Sequence, residues 1–234
     1  MKKFIPLLFT TDMMVANLEQ RKNQTRRDRG LKVINENPDD WEFAGKAVSA
    51  AIPEKHILNG NLRVFIHKVT RIPCVIKCPY GNPGDVLWFR EKWRHNEAMT
   101  GSPFHWYALN DVYTDPDNEI WKPGIHMPAA ACRAWGIVEE IRIERLNDIS
   151  HEDAINEGIL CTSSIRNVSL DNHFYDYIDK SYYLTNPRLS YFSLFQSING
   201  QELTDKNPWL WVVSYKFTTE EPDGWKEYVN SLKK

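Results

Sequence analysis

The segment Trp209-Leu-Trp-Val-Val-Ser-Tyr-Lys-Phe217 restricts the fold more than any other stretch of the chain. Trp209, Trp211, Val213, Tyr215 and Phe217 alternate with Leu210, Val212, Ser214 and Lys216, the period of a strand with one buried face. Ile137 to Leu146 has the same character, with Ile141 and Ile143 on one side and Arg142 and Glu144 on the other. Shorter strands are expected at Ile5 to Phe9, Val86 to Glu91 and Phe104 to Val112, and a strand pair at Leu62 to Val69 and Cys74 to Cys78. Turns at Asn82-Pro-Gly-Asp85 and Asp115-Pro-Asp-Asn118 and a loop from Asn35 to Asp40 punctuate them.

Three helices stand out between the strands. Thr11 can cap the first, in which Met14, Val15 and Leu18 form an apolar stripe. Ser150 opens the second, with Asp153 three residues on as in a capping box and Gly158 placed to end it. Asn186-Pro187 starts the third, whose Leu189, Phe192, Leu194, Phe195 and Ile198 are expected to be buried, with Gly200 at its end. The strands are not spaced by regular crossover helices, which argues against a doubly wound parallel sheet. The expected class is α+β, mainly β: a compact β-barrel with flanking helices.

A net charge of -2 over 234 residues excludes wholesale coating of nucleic acid, so any such binding needs a local patch. The apolar run Phe4 to Phe9 after Lys2 and Lys3 is too short for a signal peptide, and nothing reaches the length of a membrane span. Four cysteines suit a reducing cytoplasm, where the sequons at Asn23 and Asn167 would carry no glycan. Cys74-x3-Cys78 lacks a second Cys/His pair, so neither a metal nor another cofactor is expected.

The local patch exists. Arg21 to Lys32 carries six cations against the single acid Asp28. Such a cluster either grips an anion, forms a solvated basic turn, or lowers the pKa of one lysine. Arg21, Arg26 and Arg27 disfavour a protonated Lys22, and partial burial would act in the same direction. A neutral Lys22 amine three residues from Thr25 can take the hydroxyl proton and make Thr25 a nucleophile. Both residues are expected on a loop or turn after the first helix. A carboxylate must complete the set, and Glu157 at the end of the second helix offers one, its pKa raised somewhat by the helix dipole. Trp88-Phe-Arg90-Glu91-Lys-Trp93 and Trp121 to His126 place aromatics beside charges that can stack a base and bond its edge, or form core and surface pairs.

Together these segments resemble the ASCH domain family, a branch of the PUA-like barrels, in the long form carried by phages and prophages. The resemblance is carried by Ile5 to Phe9 with Arg21 to Arg27, Gly84 to Trp93, Trp121 to Pro128, Arg142 to Gly158, and Ser197 to Gly200 with Asn207 to Val212. It implies one domain over 1–217, a family-variable insertion over about 31–80 and a polar tail, a surface appendage, over 218–234. The family usually has Gly and Thr where this chain has Gln20 and Asn23. After Met127 it reads Pro-Ala-Ala-Ala-Cys-Arg133, against a usual Pro-Arg-Trp-Ala-Ser-Arg.

Members of the family include a small bacterial amidohydrolase acting on acetylated cytidine, and others are ribonucleases or nucleic-acid-binding modules. The resemblance implies Lys22 as base, Thr25 as nucleophile and Glu157 as proton shuttle, with no metal. Arg21, Arg26, Arg27, Trp88, Arg90, Glu91, Trp93 and His126 would bind substrate, with Arg26, Arg27 and Arg90 steering it. RNA or a modified nucleoside is the expected partner in a cytoplasmic setting, with DNA and a protein partner left open and no membrane. The alternatives are a non-catalytic RNA- or DNA-binding module, a ribonuclease and a protein-interaction module.

Overall fold

The computed structural model describes residues 2–46, 61–96, 104–107, 121–162 and 173–232. In chain order its strands are β1 (Phe4–Leu8), β2 (Gln24–Arg27), β3 (Trp41–Lys46), β4 (Leu62–His67), β5 (Pro73–Lys77) and β6 (Val86–Arg90). The rest are β7 (Trp93–Asn96), β8 (Phe104–Tyr107), β9 (Trp135–Arg145), β10 (Phe174–Asp176), β11 (Ser181–Leu184) and β12 (Trp209–Thr218). The α-helices are α1 (Thr11–Leu18), α2 (Lys32–Glu36), α3 (His151–Asn156), α4 (Pro187–Asn199), α5 (Gln201–Asp205) and α6 (Trp225–Ser231).

The main sheet has the order β1-β6-β9-β12-β2. β1 lies parallel to β6, and the other neighbours are antiparallel. The α+β, strand-rich class is as expected, but no pairing among the described residues joins the end strands β1 and β2 to close a barrel. β12 runs between β9 and β2 with Leu210, Trp211, Val212 and Val213 all fully buried. It is therefore covered on both faces, not on the one face its alternation suggested. A central position in the sheet explains this, since layers pack against it from either side.

Among the described residues of 31–80, β3, β4 and β5 form an antiparallel sheet that brings Phe65 into the core. Its β4–β5 pair matches the expected strands. The expected loop from Asn35 to Asp40 instead holds the end of α2 and a 3-10 turn at Pro38–Asp40. Asn35 replaces a missing backbone partner for β12: its side chain donates to Trp209 O and accepts from Trp209 N, at 2.9 and 2.8 Å. Of the expected strand Phe104 to Val112, Phe104–Tyr107 is β8; residues 108–112, the turn 115–118 and Asn167 lie outside the described residues.

Helix details also shift. Thr10, not Thr11, caps α1 by accepting from Met13 N, and Met13, Met14, Ala16 and Asn17 are its buried residues. In α4, Leu189 and Ile198 are exposed, while Tyr191, Leu194 and Phe195 are buried. The C-terminal tail is no loose appendage. Trp225 of α6 is buried against Trp88 and Trp135, with ring centroids 5.8 and 5.5 Å apart, and Tyr228 stacks on Phe4 at 5.0 Å. Among the described residues no helix is long and apolar enough to cross a membrane.

Candidate functional site

α1 ends at Glu19, and Gln20 adopts φ +58°, a left-handed conformation that turns the chain back on itself. Lys22 N then donates to Ala16 O at 3.1 Å, and Lys22 forms an isolated antiparallel bridge with Glu157. Glu157 is the residue that caps the C-terminus of α3, whose N-terminus is held by Ser150 accepting from Asp153 N. Gly158 permits this approach: a Cβ there would stand 2.8 Å from the Cβ atoms of Ala16 and Lys22. Its φ of +83° also suits glycine.

Thr25 lies in a strand, not on the expected loop or turn. β2 pairs with β12, with Thr25 opposite Val213 and Arg26 opposite Val212. The edge strand fixes Thr25 and Arg27 on a rigid frame. Alternation gives Gln24 and Arg26 the face shared with Arg142, whose guanidinium donates to Gln24 Oε1.

The structure brings Lys22, Thr25 and Glu157 to the wall of one cleft of about 270 Å³, together with Arg26, Arg27 and Tyr191. Lys22 Nζ donates to Glu157 Oε2 and to Glu157 O, both at 2.8 Å, and the residue is 2% exposed. Burial holds the Lys22 amine below its ordinary pKa; the Glu157 carboxylate opposes this and Arg27 and Arg26 add to it. Lys22 and Thr25 do not hydrogen-bond to each other; Thr25 Oγ1 instead accepts from Arg27 Nε at 3.1 Å.

Arg26 has a different place from the one expected. Its side chain is wholly enclosed and donates to Glu157 at 3.1 Å, Glu144 at 2.9 Å and Asp153 at 3.0 Å. Burial opposes its charge, and Glu157 foremost among the acids more than offsets that, raising its pKa. Arg142 joins the cluster through Asp153, 2.6 Å away, and Glu144. Three cations thus face three carboxylates, so Arg26 positions Glu157 and engages carboxylates through its two terminal nitrogens, while its buried Nε makes no hydrogen bond among the described residues. Arg27 is the cation of the cleft that makes no ion pair among the described residues. It donates to Leu8 O at 2.7 Å and lies 5.2 Å from the centre of the Phe9 ring.

The remaining expected binding residues lie elsewhere. Arg21 pairs with Glu19 and donates to Gly158 O at 2.7 Å, behind the bridge. Trp88 is buried beside Trp135 and Trp225. Arg90 covers Trp88 at 5.2 Å and donates to Ile125 O. Glu91 is enclosed and takes both donors of Arg133, at 2.8 and 2.9 Å. Trp93 packs with Met127 and Ala131, and His126 is exposed on a 3-10 turn. None of these lines the Lys22 cleft. Their aromatic and charged character is largely consumed by packing and by one closed ion pair.

Tyr191 was missed. It lies 5.7 Å from Arg26 across its ring face, and burial followed by the Glu157 charge keeps its hydroxyl protonated far above the ordinary range. The signal was present: Tyr191, Leu194, Phe195 and Ile198 form one helical stripe with a polar tip at its head. Among the described residues no group of three or more His, Cys, Asp and Glu side chains could hold a metal. Cys74 and Cys78 are free thiols, and burial pushes the Cys78 thiol up to about 11.

Comparison of the chain with protein-family models, curated proteins and solved structures finds no match.

Proposed function

We propose that this chain is an ASCH-like protein with its main sheet as the frame of a PUA-like barrel, and that it binds a nucleoside and hydrolyses an amide on a modified base such as acetylated cytidine. The observation that carries the reading is the meeting of Lys22 and Thr25, from the turn into β2 and β2 itself, with Glu157, from the end of α3, at one cleft. The chemistry fits the donor set. Neutral Lys22 takes the Thr25 hydroxyl proton, and Thr25 Oγ1 attacks the acetyl carbonyl. Arg27, already donating to Oγ1, stabilises the negative charge that develops.

The Lys22–Glu157 pair then passes a proton to the departing exocyclic amine of the base as the amide C–N bond breaks, leaving an acetyl ester on Thr25. Water, losing a proton to the same pair, splits the ester, and the proton returns to Thr25 as acetate leaves. Rotation of Lys22 off the Glu157 carbonyl when substrate enters would bring the amine to the hydroxyl. The depressed Lys22 pKa supports this role, because a neutral amine becomes populated below pH 10.5.

Lys22→Ala and Thr25→Val are expected to lower turnover of acetylated cytidine by about 10²–10⁴-fold, the usual worth of a general base. Wild-type turnover should rise with pH and level off below 10.5. Unchanged turnover in Thr25→Val, checked as folded by circular dichroism, would remove the nucleophile from the scheme.

One observation favours a second reading, a non-catalytic RNA- or DNA-binding module. Lys22, Arg26 and Arg142 are balanced by Glu157, Glu144 and Asp153 in a closed network, as in a structural cluster. In that case the wild-type protein hydrolyses nothing, and affinity for RNA falls steeply with salt.

A further inference from the structure

The Lys22 cleft has a neighbour. Thr10, Met13, Leu194 and Ile198 line it and also line a second cavity of about 310 Å³, so the two spaces adjoin across these four residues. The second space is walled by Tyr175 and Tyr177 of the β10 region, with Lys180 and Asp12 at its edge. The cleft alone is near the lower limit of small-molecule sites, which run from about 300 to 1,000 Å³. The cleft and the adjoining cavity together offer room for more than a single nucleoside.

We infer that this adjoining cavity is a subsite for the nucleotide next to the one in the cleft, so that the preferred ligand is a single-stranded oligonucleotide and not a free nucleoside. The inference rests on the nucleoside reading proposed above and names its substrate class.

Three observations agree with it. Tyr175 and Tyr177 are half-buried and meet edge to face at 5.0 Å, and Tyr175 meets Tyr182 at a tilt at 4.9 Å. No two of these rings stack in parallel, and a base is the kind of flat partner that takes a free aromatic face whatever its sequence. The Tyr177 ring is held by its Oη, which accepts from Leu160 N at 3.0 Å, and the Tyr175 backbone is held by its carbonyl, which accepts from Ser190 Oγ at 2.6 Å. Lys180 is exposed on the turn between β10 and β11, where its ammonium can meet a phosphodiester. Asp12, also exposed, stands on the same rim and bears the opposite charge, so Lys180 supplies a single phosphate contact and not a broad anion grip.

The test compares two ligands that the enzyme does not consume: cytidine, and a trinucleotide with cytidine at its centre. Both are titrated calorimetrically into the full chain. The wild type is expected to bind the trinucleotide at least tenfold tighter. Tyr175→Ala should cut the ratio of the two affinities by about tenfold, roughly the worth of one base–aromatic stack. Tyr175→Phe should preserve the ratio, and Lys180→Ala should lower the salt slope for the trinucleotide by about 0.7. Equal wild-type affinities for the two ligands, or a ratio unmoved by Tyr175→Ala, would overturn the subsite while leaving the nucleoside reading intact. Failure of the wild type to bind either ligand would overturn both.

Discussion

Two enclosed glutamates, Glu91 and Glu157, are 2% and 3% exposed and solve the same problem in opposite ways. Glu91 gives both oxygens to one guanidinium, that of Arg133, in a closed bidentate pair. Glu157 divides its oxygens between Lys22 and Arg26 and stands at the wall of a cavity. A bidentate pair leaves the carboxylate nothing further to do. A carboxylate shared between an arginine that cannot release its proton and a lysine that can keeps a partner able to change its charge. The difference teaches that enclosure alone does not mark chemistry; what matters is whether a partner can change its charge and whether a ligand can reach it.

The contrast can be broken from the Glu91 side first. Arg133→Ala leaves an enclosed carboxylate without its main partner, and about 3 kcal/mol of stability should be lost in denaturant titration. Turnover per folded molecule should not change. A loss of turnover at full stability would mean that Glu91 belongs to the reacting site after all.

On the Glu157 side, the turn that delivers Lys22 carries strain at Gln20, a non-glycine residue at φ +58°. Gln20→Gly removes the steric cost of that conformation and should raise stability by up to about 1 kcal/mol by thermal melting. A fall in stability would show that the Gln20 side chain contributes more than its backbone costs.

The smallest effect concerns pH. Burial works to raise the Asp153 pKa, but Arg26 and Arg142 outweigh it and hold the carboxyl below its ordinary 3.8. A carboxyl with a lowered folded-state pKa contributes stability that is present above the unfolded value and is lost as pH falls through the folded one. Asp153→Asn should therefore be less stable than wild type at pH 7, with the gap closing below pH 3.8. A gap that is constant across that range would detach Asp153 from the network.

Much of the frame was legible from the residues. Ser150, Asp153 and Gly158 marked both ends of α3 because capping is local chemistry, decided within a few residues. Ile141 and Ile143 showed the buried face of β9, since alternation on a strand needs no knowledge of its neighbours. The β4–β5 pair was visible for the same reason. The parallel pairing of β1 with β6 was not, because the residues from Phe4 to Leu8 carry no trace of a strand that begins at Val86. Thr25 was placed on a turn because the charged run Arg21 to Lys32 has no apolar alternation. The edge of β12 captured it as a strand through backbone hydrogen bonds that any side chain allows. The tail after Thr218 looked polar because only a few residues, Trp225, Tyr228 and Val229, carry its packing.

By itself, then, the sequence determined which residues can do chemistry and where the chain is locally helical or extended, since propensity, capping and periodicity act over one or two turns. It also supplied the resemblance that singled out Lys22, Thr25 and Glu157. Only the tertiary structure decided which charges are free to act. It spent Arg26 on Glu144, Asp153 and Glu157, closed Glu91 against Arg133, left Arg27 beside Thr25, and set the cleft next to a cavity walled by Tyr175. The physical reason is that a charge's behaviour depends on its burial and on partners within a few ångströms, and those partners come from segments that the chain order keeps far apart.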